Sequence, residues 1–291
     1  MRRIILCQSC PILGRFEAHE LMISMPIVRT LCLLFCLSSV AVRAQDQTAP
    51  ETESADSTAS AAAQANNPLA NFTAFNLHNY YIPELSGPVD ETANSFILRY
   101  AKPFGKWLMR ASLPFNRTPT GINSTTSGLG DLDVFFAYLF DTGNPAKSFG
   151  IGPQFVLPTA TEDATGTGKY QAGLAAVYFD ASSATFQWGG LLTYRTDIGG
   201  DSNRADTSLL AAQPFYFFQM GGGYYLRGAP IWAFDLENDT YSIPVGLGLG
   251  RVFKSGSTVF NVFAEPQFTI LDKGDGQPQF QLFVGFNMQF N

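Results

Sequence analysis

From Asn71 onward, large apolar residues return at every second position through short stretches divided by turn residues. The last stretch, Gln279 to Phe290, is the clearest. Phe280, Leu282, Val284, Phe286, Met288 and Phe290 form one row, and Gln279, Gln281, Asn287 and Gln289 fall in the other. Successive side chains of a strand point to opposite faces, so this segment has an oily face and a wetter one. Twelve strands are predicted on this pattern: Phe72–Ile82, Ser95–Lys102, Lys106–Phe115, Leu129–Phe140, Phe149–Leu157, Tyr170–Phe179, Thr185–Thr196, Ser208–Gln219, Gly223–Asp235, Tyr241–Phe253, Thr258–Leu271 and Gln279–Phe290.

The connections sort into two kinds. Pro83–Asn94, Asn116–Gly128, Pro158–Lys169, Asp197–Thr207, Leu236–Thr240 and Asp272–Pro278 are longer and polar. Pro103–Gly105, Asp141–Ser148, Asp180–Ala184, Met220–Gly222 and Lys254–Ser257 are mostly tight turns. Long–short alternation, an even strand count and both termini on the short-turn side are the wiring of a transmembrane antiparallel β-barrel. The predicted class is therefore all-β, a barrel of about 12 strands with short periplasmic turns and longer extracellular loops. Oily rows would face lipid and wet rows a lumen. The final strand also resembles the C-terminal signal of bacterial outer-membrane barrels, which implies the barrel assembly machinery as a partner. It departs from that signal in that Asn291 follows the aromatic Phe290.

Two hairpins have a readable register. With Phe104-Gly105 as a two-residue turn, Tyr100 faces Met109 and Arg99 faces Arg110. With Ser255-Gly256 as the turn, Leu249 faces Val262. Gly250, Gly248 and Gly246 then oppose Asn261, Phe263 and Glu265, leaving room for large residues of the following strand. Glycine inside a strand often marks such a close approach. Facing arginines repel, and a charge buried without a partner is costly. Asp131 and Asp133 share the inward row of the next strand, so one of them is expected within ion-pair reach of Arg110.

Charge and composition fill in the rest. Charged residues are 14% of the chain and aromatics as many, with mean hydropathy near neutral; that balance is unusual in a soluble protein. After the N-terminal region no stretch approaches the roughly 18 apolar residues of a spanning helix. Arg29, the apolar run Leu31 to Leu37 and the Val42-Arg43-Ala44 site read as an export signal cleaved before Gln45. Residues 1–44 are thus assigned to the signal, with 1–21 an upstream extension of the gene. Residues 45–69 read as a disordered periplasmic segment, rich in Ala, Ser, Thr, Gln and acids. The barrel takes 70–291, and the location is the bacterial outer membrane. All four cysteines precede the cleavage site. Removing the signal, with its five arginines and two glutamates, takes the formal charge from −6 to −9. An acidic chain of this kind argues against nucleic acid.

Several segments together carry a family resemblance: Asn67-Pro68-Leu69-Ala70, Leu98 to Phe104, Gly128-Leu129-Gly130-Asp131-Leu132, Gly166 to Gly173, Gly223-Tyr224-Tyr225-Leu226-Arg227 and Gly246 to Gly250. The set resembles the bacterial family labelled "putative MetA-pathway of phenol degradation", also called transporter or neuromedin U. The resemblance covers about Asn67 to Phe290. It implies an outer-membrane barrel that moves small hydrophobic or aromatic compounds, and it carries over no functional residue.

The candidate chemistry lies in the inward rows. Arg99, Arg110, Asp131, Asp133, Gln171, Arg195, Phe263, Glu265, Gln267 and Gln281 are the lumen and solute candidates, with Gln154, Asn261, Phe215, Phe217 and Phe283 beside them. Such a mixed lumen suits an aromatic or amphipathic solute held by stacking and a few hydrogen bonds. The same residues would also serve to fill a plugged barrel, since small barrels are usually filled. Gly246-x-Gly-x-Gly250 lies within an alternating strand, without the helix a nucleotide loop needs. His78 is the only histidine after the signal and has no serine in a His-x-Ser spacing. No catalytic residue, cofactor or metal is predicted. The leading function is a channel for small hydrophobic or aromatic compounds. The alternatives are a non-conducting structural or surface-interaction barrel and, third, an outer-membrane lipid hydrolase.

Overall fold

The computed structural model describes residues 64–88, 91–121 and 123–290. The export signal and most of the expected lead-in lie outside these residues. Fifteen ladder segments make one antiparallel sheet: β1 Thr73–Leu85, β2 Ala93–Phe104, β3 Trp107–Gly121, β4 Ser124–Leu129, β5 Leu132–Phe140, β6 Lys147–Leu157, β7 Lys169–Asp180, β8 Phe186–Gly200, β9 Ser208–Gly221, β10 Tyr224–Gly228, β11 Trp232–Asp235, β12 Thr240–Gly246, β13 Gly248–Ser255, β14 Thr258–Lys273 and β15 Pro278–Phe290. The pairs β4/β5, β10/β11 and β12/β13 are each one interrupted strand, so the segments form twelve strands. The first pairs with the last, Leu77 against Phe286, and the sheet closes into a barrel. Closure joins the first strand to the last, the condition for a sheet to stand in lipid, and leaves β4 paired to β3 alone.

The predicted rows face as expected. In β2, Phe96, Leu98 and Tyr100 are exposed on the outer wall while Ala101 between its neighbours is buried. In β15, Gln281 and Phe283 are buried inside. The longer outer connections are partly strand. The expected loop Asn116–Gly128 is largely a hairpin in which Thr118 pairs with Thr126, running past the rest of the wall. Its residues are mostly small and polar, and a pattern built on rows of large apolar residues reads them as loop.

Both predicted hairpin registers are off by two residues. β2 and β3 turn at Gly105-Lys106, so Arg99 faces Ser112 and Arg110 faces Ala101. β13 and β14 turn at Gly256-Ser257, so Gly250 faces Phe263 and Gly246 faces Gln267. The reason is the same in each. A two-residue turn with glycine first needs positive φ at that first position, and Gly105 and Gly256 both take φ +59°. The expected turns put Phe104 and Ser255 there, where a side chain is strained. A slip of two keeps every side chain on its face, so the inside–outside assignment survives.

The three strand breaks lose ladder hydrogen bonds, and side chains replace them, as buried backbone groups require. Between β10 and β11, Ala229 N–H donates to Glu265 Oε1 at 2.8 Å and Ala229 C=O accepts from Gln213 Nε2 at 2.9 Å. The glycines of β12 and β13 are spaces as expected, with one change. A Cβ on Gly246 would meet Glu265 and Gln267 of the following strand, whereas one on Gly250 would meet the ring of Tyr225, on the opposite neighbour β10.

The expected disordered segment ends earlier than Leu69. Ala65, Asn66 and Leu69 are buried, and Ala65 C=O accepts from Gln289 Nε2 at 3.0 Å. Asn66 Oδ1 accepts from Asn261 Nδ2 at 3.0 Å, and Asn67 Nδ2 donates to Ser148 Oγ at 3.1 Å. Residues 64–69 thus seat in the short-turn end of the barrel. Their small side chains and asparagine amides fit a polar wall that no aromatic-poor composition count would reveal.

Candidate functional site

Inside the barrel lies a cavity of about 160 Å³. Its lining mixes apolar side chains, Leu108, Phe135, Val177, Leu191, Phe215 and Phe217, with the polar Asn76, His78, Tyr80, Arg99, Arg110 and Arg227, and the N-terminal residues Ala65, Asn66, Asn67, Pro68 and Ala70 also line it. Strand alternation brings these together. Arg99 and Arg110 are inward residues of adjacent strands, displaced by two positions, which makes them diagonal neighbours at roughly 7–8 Å between Cα atoms.

The three arginines are held differently. Arg227 Nε donates to Glu265 Oε2 at 2.7 Å, both side chains being buried, and its guanidinium lies 3.5 Å over the Phe263 ring. Glu265 Oε1 also accepts from Gln267 Nε2 at 2.6 Å and from Ala229 N–H. Gln281 donates to Gln267. Every polar atom of Glu265 is used. Arg99 gives Nε to Ser112 Oγ at 3.0 Å. The Arg110 guanidinium stacks over Phe135 at 4.1 Å, and its Nε is buried with no hydrogen-bond partner. Among the described residues, no carboxylate lies within 4.0 Å of Arg99 or Arg110.

The expected ion pair between Arg110 and Asp131 or Asp133 is therefore not formed. Asp133 faces Ser112 in the ladder and is a diagonal neighbour of Arg110, but Phe135 is the residue directly opposite Arg110. Asp133 turns the other way, accepting from Gln154 Nε2 at 2.6 Å and pairing with Arg195 at 3.4 Å. Asp131 is not in the lumen cluster at all. It fastens the outer loop 158–168, accepting from Ala160 N–H at 3.2 Å, Thr167 N–H at 2.7 Å and Thr167 Oγ1 at 2.8 Å. Gln171 joins that fastening through Thr167 Oγ1 at 3.1 Å.

Of the predicted lumen residues, Arg99, Arg110 and Phe263 line the cavity. Glu265, Gln267 and Gln281 form the buried network behind it, and Asp131, Asp133, Gln171 and Arg195 stand elsewhere. Sequence reading missed Arg227 as a lumen residue, and it missed the N-terminal segment. Arg227 shares the inward row of Tyr225, so the alternation of Gly223–Asp235 held the signal. His78 lies between Phe263 and Phe283 and its Nε2 is 2.9 Å from Asn287 Oδ1. Tyr80 stacks on Phe283 with ring centroids 4.2 Å apart. These contacts place His78 among rings and amides, in an aromatic pocket.

A family model described as "Putative MetA-pathway of phenol degradation" matches residues 52–287. The chain belongs to that family. Among solved structures, the chain is similar to the COG4313 outer membrane channel from Pseudomonas putida F1, with TM-score 0.56 and 14% identity over 76% of this chain and 96% of that one. It is also similar to the NanC porin, with TM-score 0.48 and 9% identity over 75% of this chain and 99% of that one. No curated protein matches. The chain thus shares the closed antiparallel barrel fold of the COG4313 channel.

Proposed function

We propose that this chain is an outer-membrane channel for small aromatic compounds. The observation that carries the reading is the cavity: about 160 Å³ inside a closed barrel, lined by Phe135, Phe215 and Phe217 together with arginines and amides. Rings stack on the aromatic lining, and polar substituents find donors among the arginines and amides. A sugar of similar size would meet too few hydrogen-bond partners on the apolar lining to replace its water shell. Liposome swelling tests it. Reconstituted protein should pass small aromatic solutes faster than sugars of similar size, and equal rates for the two would overturn the reading.

A second reading, a non-conducting structural barrel, draws on the N-terminal residues. Asn261 and Gln289 hold Ala65 and Asn66 across the short-turn mouth, as a filled barrel would. Negligible swelling with both solute classes would favour it.

A further inference from the structure

We propose that the cavity binds the carboxylate of a single-ring aromatic acid between Arg99 and Arg110. This deepens the channel reading, from which it takes only that solutes reach the lumen. Three observations lead to it. First, among the described residues the charged ones lining the cavity are Arg99, Arg110 and Arg227, without an acid, and of these Arg227 alone is answered, by Glu265. Second, among the described residues the acid diagonal to Arg110 is already occupied: Asp133 is held by Gln154 and Arg195. Third, Arg110 Nε is buried and makes no hydrogen bond, while the ring of Phe135 fixes the plane of its guanidinium. Two enclosed cations without a counter-ion are costly, and a fold that retains them beside a satisfied third arginine leaves a place for an anion.

The shape of the place narrows the anion. A guanidinium presents parallel N–H donors that match the two oxygens of a carboxylate. A cavity of about 160 Å³ is close to the roughly 150 Å³ that holds one benzene ring in an engineered apolar cavity. Phe215, Phe217 and Leu191 supply the apolar surface for that ring. An inorganic anion would satisfy the arginines and leave this surface unused. A neutral ring would use the surface and leave the arginines unanswered. An aromatic monocarboxylate uses both.

Titration calorimetry on the folded, detergent-solubilised protein tests the proposal, with benzoate, benzyl alcohol and acetate as probes. Benzoate should bind at least about tenfold more tightly than either of the others, since one charge-assisted hydrogen-bond pair is worth about that factor. Arg110→Gln and Arg99→Gln should each weaken benzoate about tenfold and leave benzyl alcohol within about twofold. Folding of each variant is read from heat-dependent gel migration. If one arginine variant does not fold, the other and the three-probe comparison on the unaltered protein still decide. Equal affinity for benzoate and benzyl alcohol, or for benzoate and acetate, overturns the proposal. Benzoate preference without solute flux in liposomes supports the site while overturning the channel reading; flux with no benzoate preference does the reverse.

Discussion

The two sides of the lumen solve the same problem in opposite ways. On the β10–β14 side, Arg227 is closed by Glu265, Glu265 is closed by Gln267 and Ala229 N–H, and Gln281 completes the chain. On the β2–β3 side, Arg99 and Arg110 touch a hydroxyl and a ring and meet no acid within 4.0 Å among the described residues. The difference follows from backbone continuity. β10 and β11 are interrupted, and the break frees an N–H that needs an acceptor. Glu265 serves that N–H and the arginine at once. β2 and β3 run without a break, so their ladder asks nothing of the side chains. Where the ladder is broken, polar side chains repair structure; where it is intact, the backbone makes no claim on them.

The comparison predicts its largest effect at Glu265. Replacing it with Ala strands a buried guanidinium, the Ala229 N–H and the Gln267 amide together. Breaking one partner of a buried pair costs about 3–5 kcal/mol, and urea-titrated folding into liposomes should register a loss of that order. A loss under about 1 kcal/mol would mean that water replaces the carboxylate, and that the two sides of the lumen do not differ.

The next effect tests which face is which. Val284 lies on the outer row of β15, beside the buried Phe283. Arginine at Val284 should cost about 2–4 kcal/mol near the bilayer midplane in the same folding titration. A tolerated arginine would mean that this row packs on protein and that lumen and exterior have been exchanged.

A third acid sharpens the contrast by position. Asp131 ties the loop 158–168 to the barrel rim through three hydrogen bonds. Asp131→Ala should release the loop at a local cost of about 1–3 kcal/mol. Limited proteolysis within residues 158–168 should therefore accelerate, with the urea midpoint of the whole barrel moving much less than for Glu265→Ala. Equal shifts in both would place Asp131 in the structural network.

Much of this was legible in the residues, for physical reasons. The period-2 rows of β2 and β15 fixed which side chains face in, because inverting them would put Arg99 and Gln281 in lipid. Register was not legible at the same level, since a slip of two moves no side chain across the wall; it hung on which turn residue tolerates φ +59°. The partner of Asp133 was equally hidden. Arg195 stands on β8, three strands from β5, and only barrel closure brings side chains so far apart in sequence into one lumen. The seat of Ala65 and Asn66 depends on Asn261 and Gln289, and the low-aromatic composition of the segment conceals it.

The smallest effect is expected at Arg110, and it is the one that separates the two walls. Had Asp133 been its partner, Arg110→Gln would leave a half-buried carboxylate unpaired and cost about 1–3 kcal/mol. Asp133 is instead satisfied by Gln154 and Arg195, so removing Arg110 strands nothing. What is lost is the contact with Phe135, worth about 0.5–2 kcal/mol for a cation over a ring. What is gained is relief of a half-buried charge that has no counter-ion among the described residues and a diagonal like-charged neighbour in Arg99. The two are of similar size and opposite sign, so stability should move by less than about 1 kcal/mol in either direction. Urea midpoints of Arg110→Gln and Glu265→Ala, measured side by side in the same liposomes, give the answer directly. Comparable losses would mean that Arg110 is as much a brace as Arg227, and that the cavity is lined by structure on both sides.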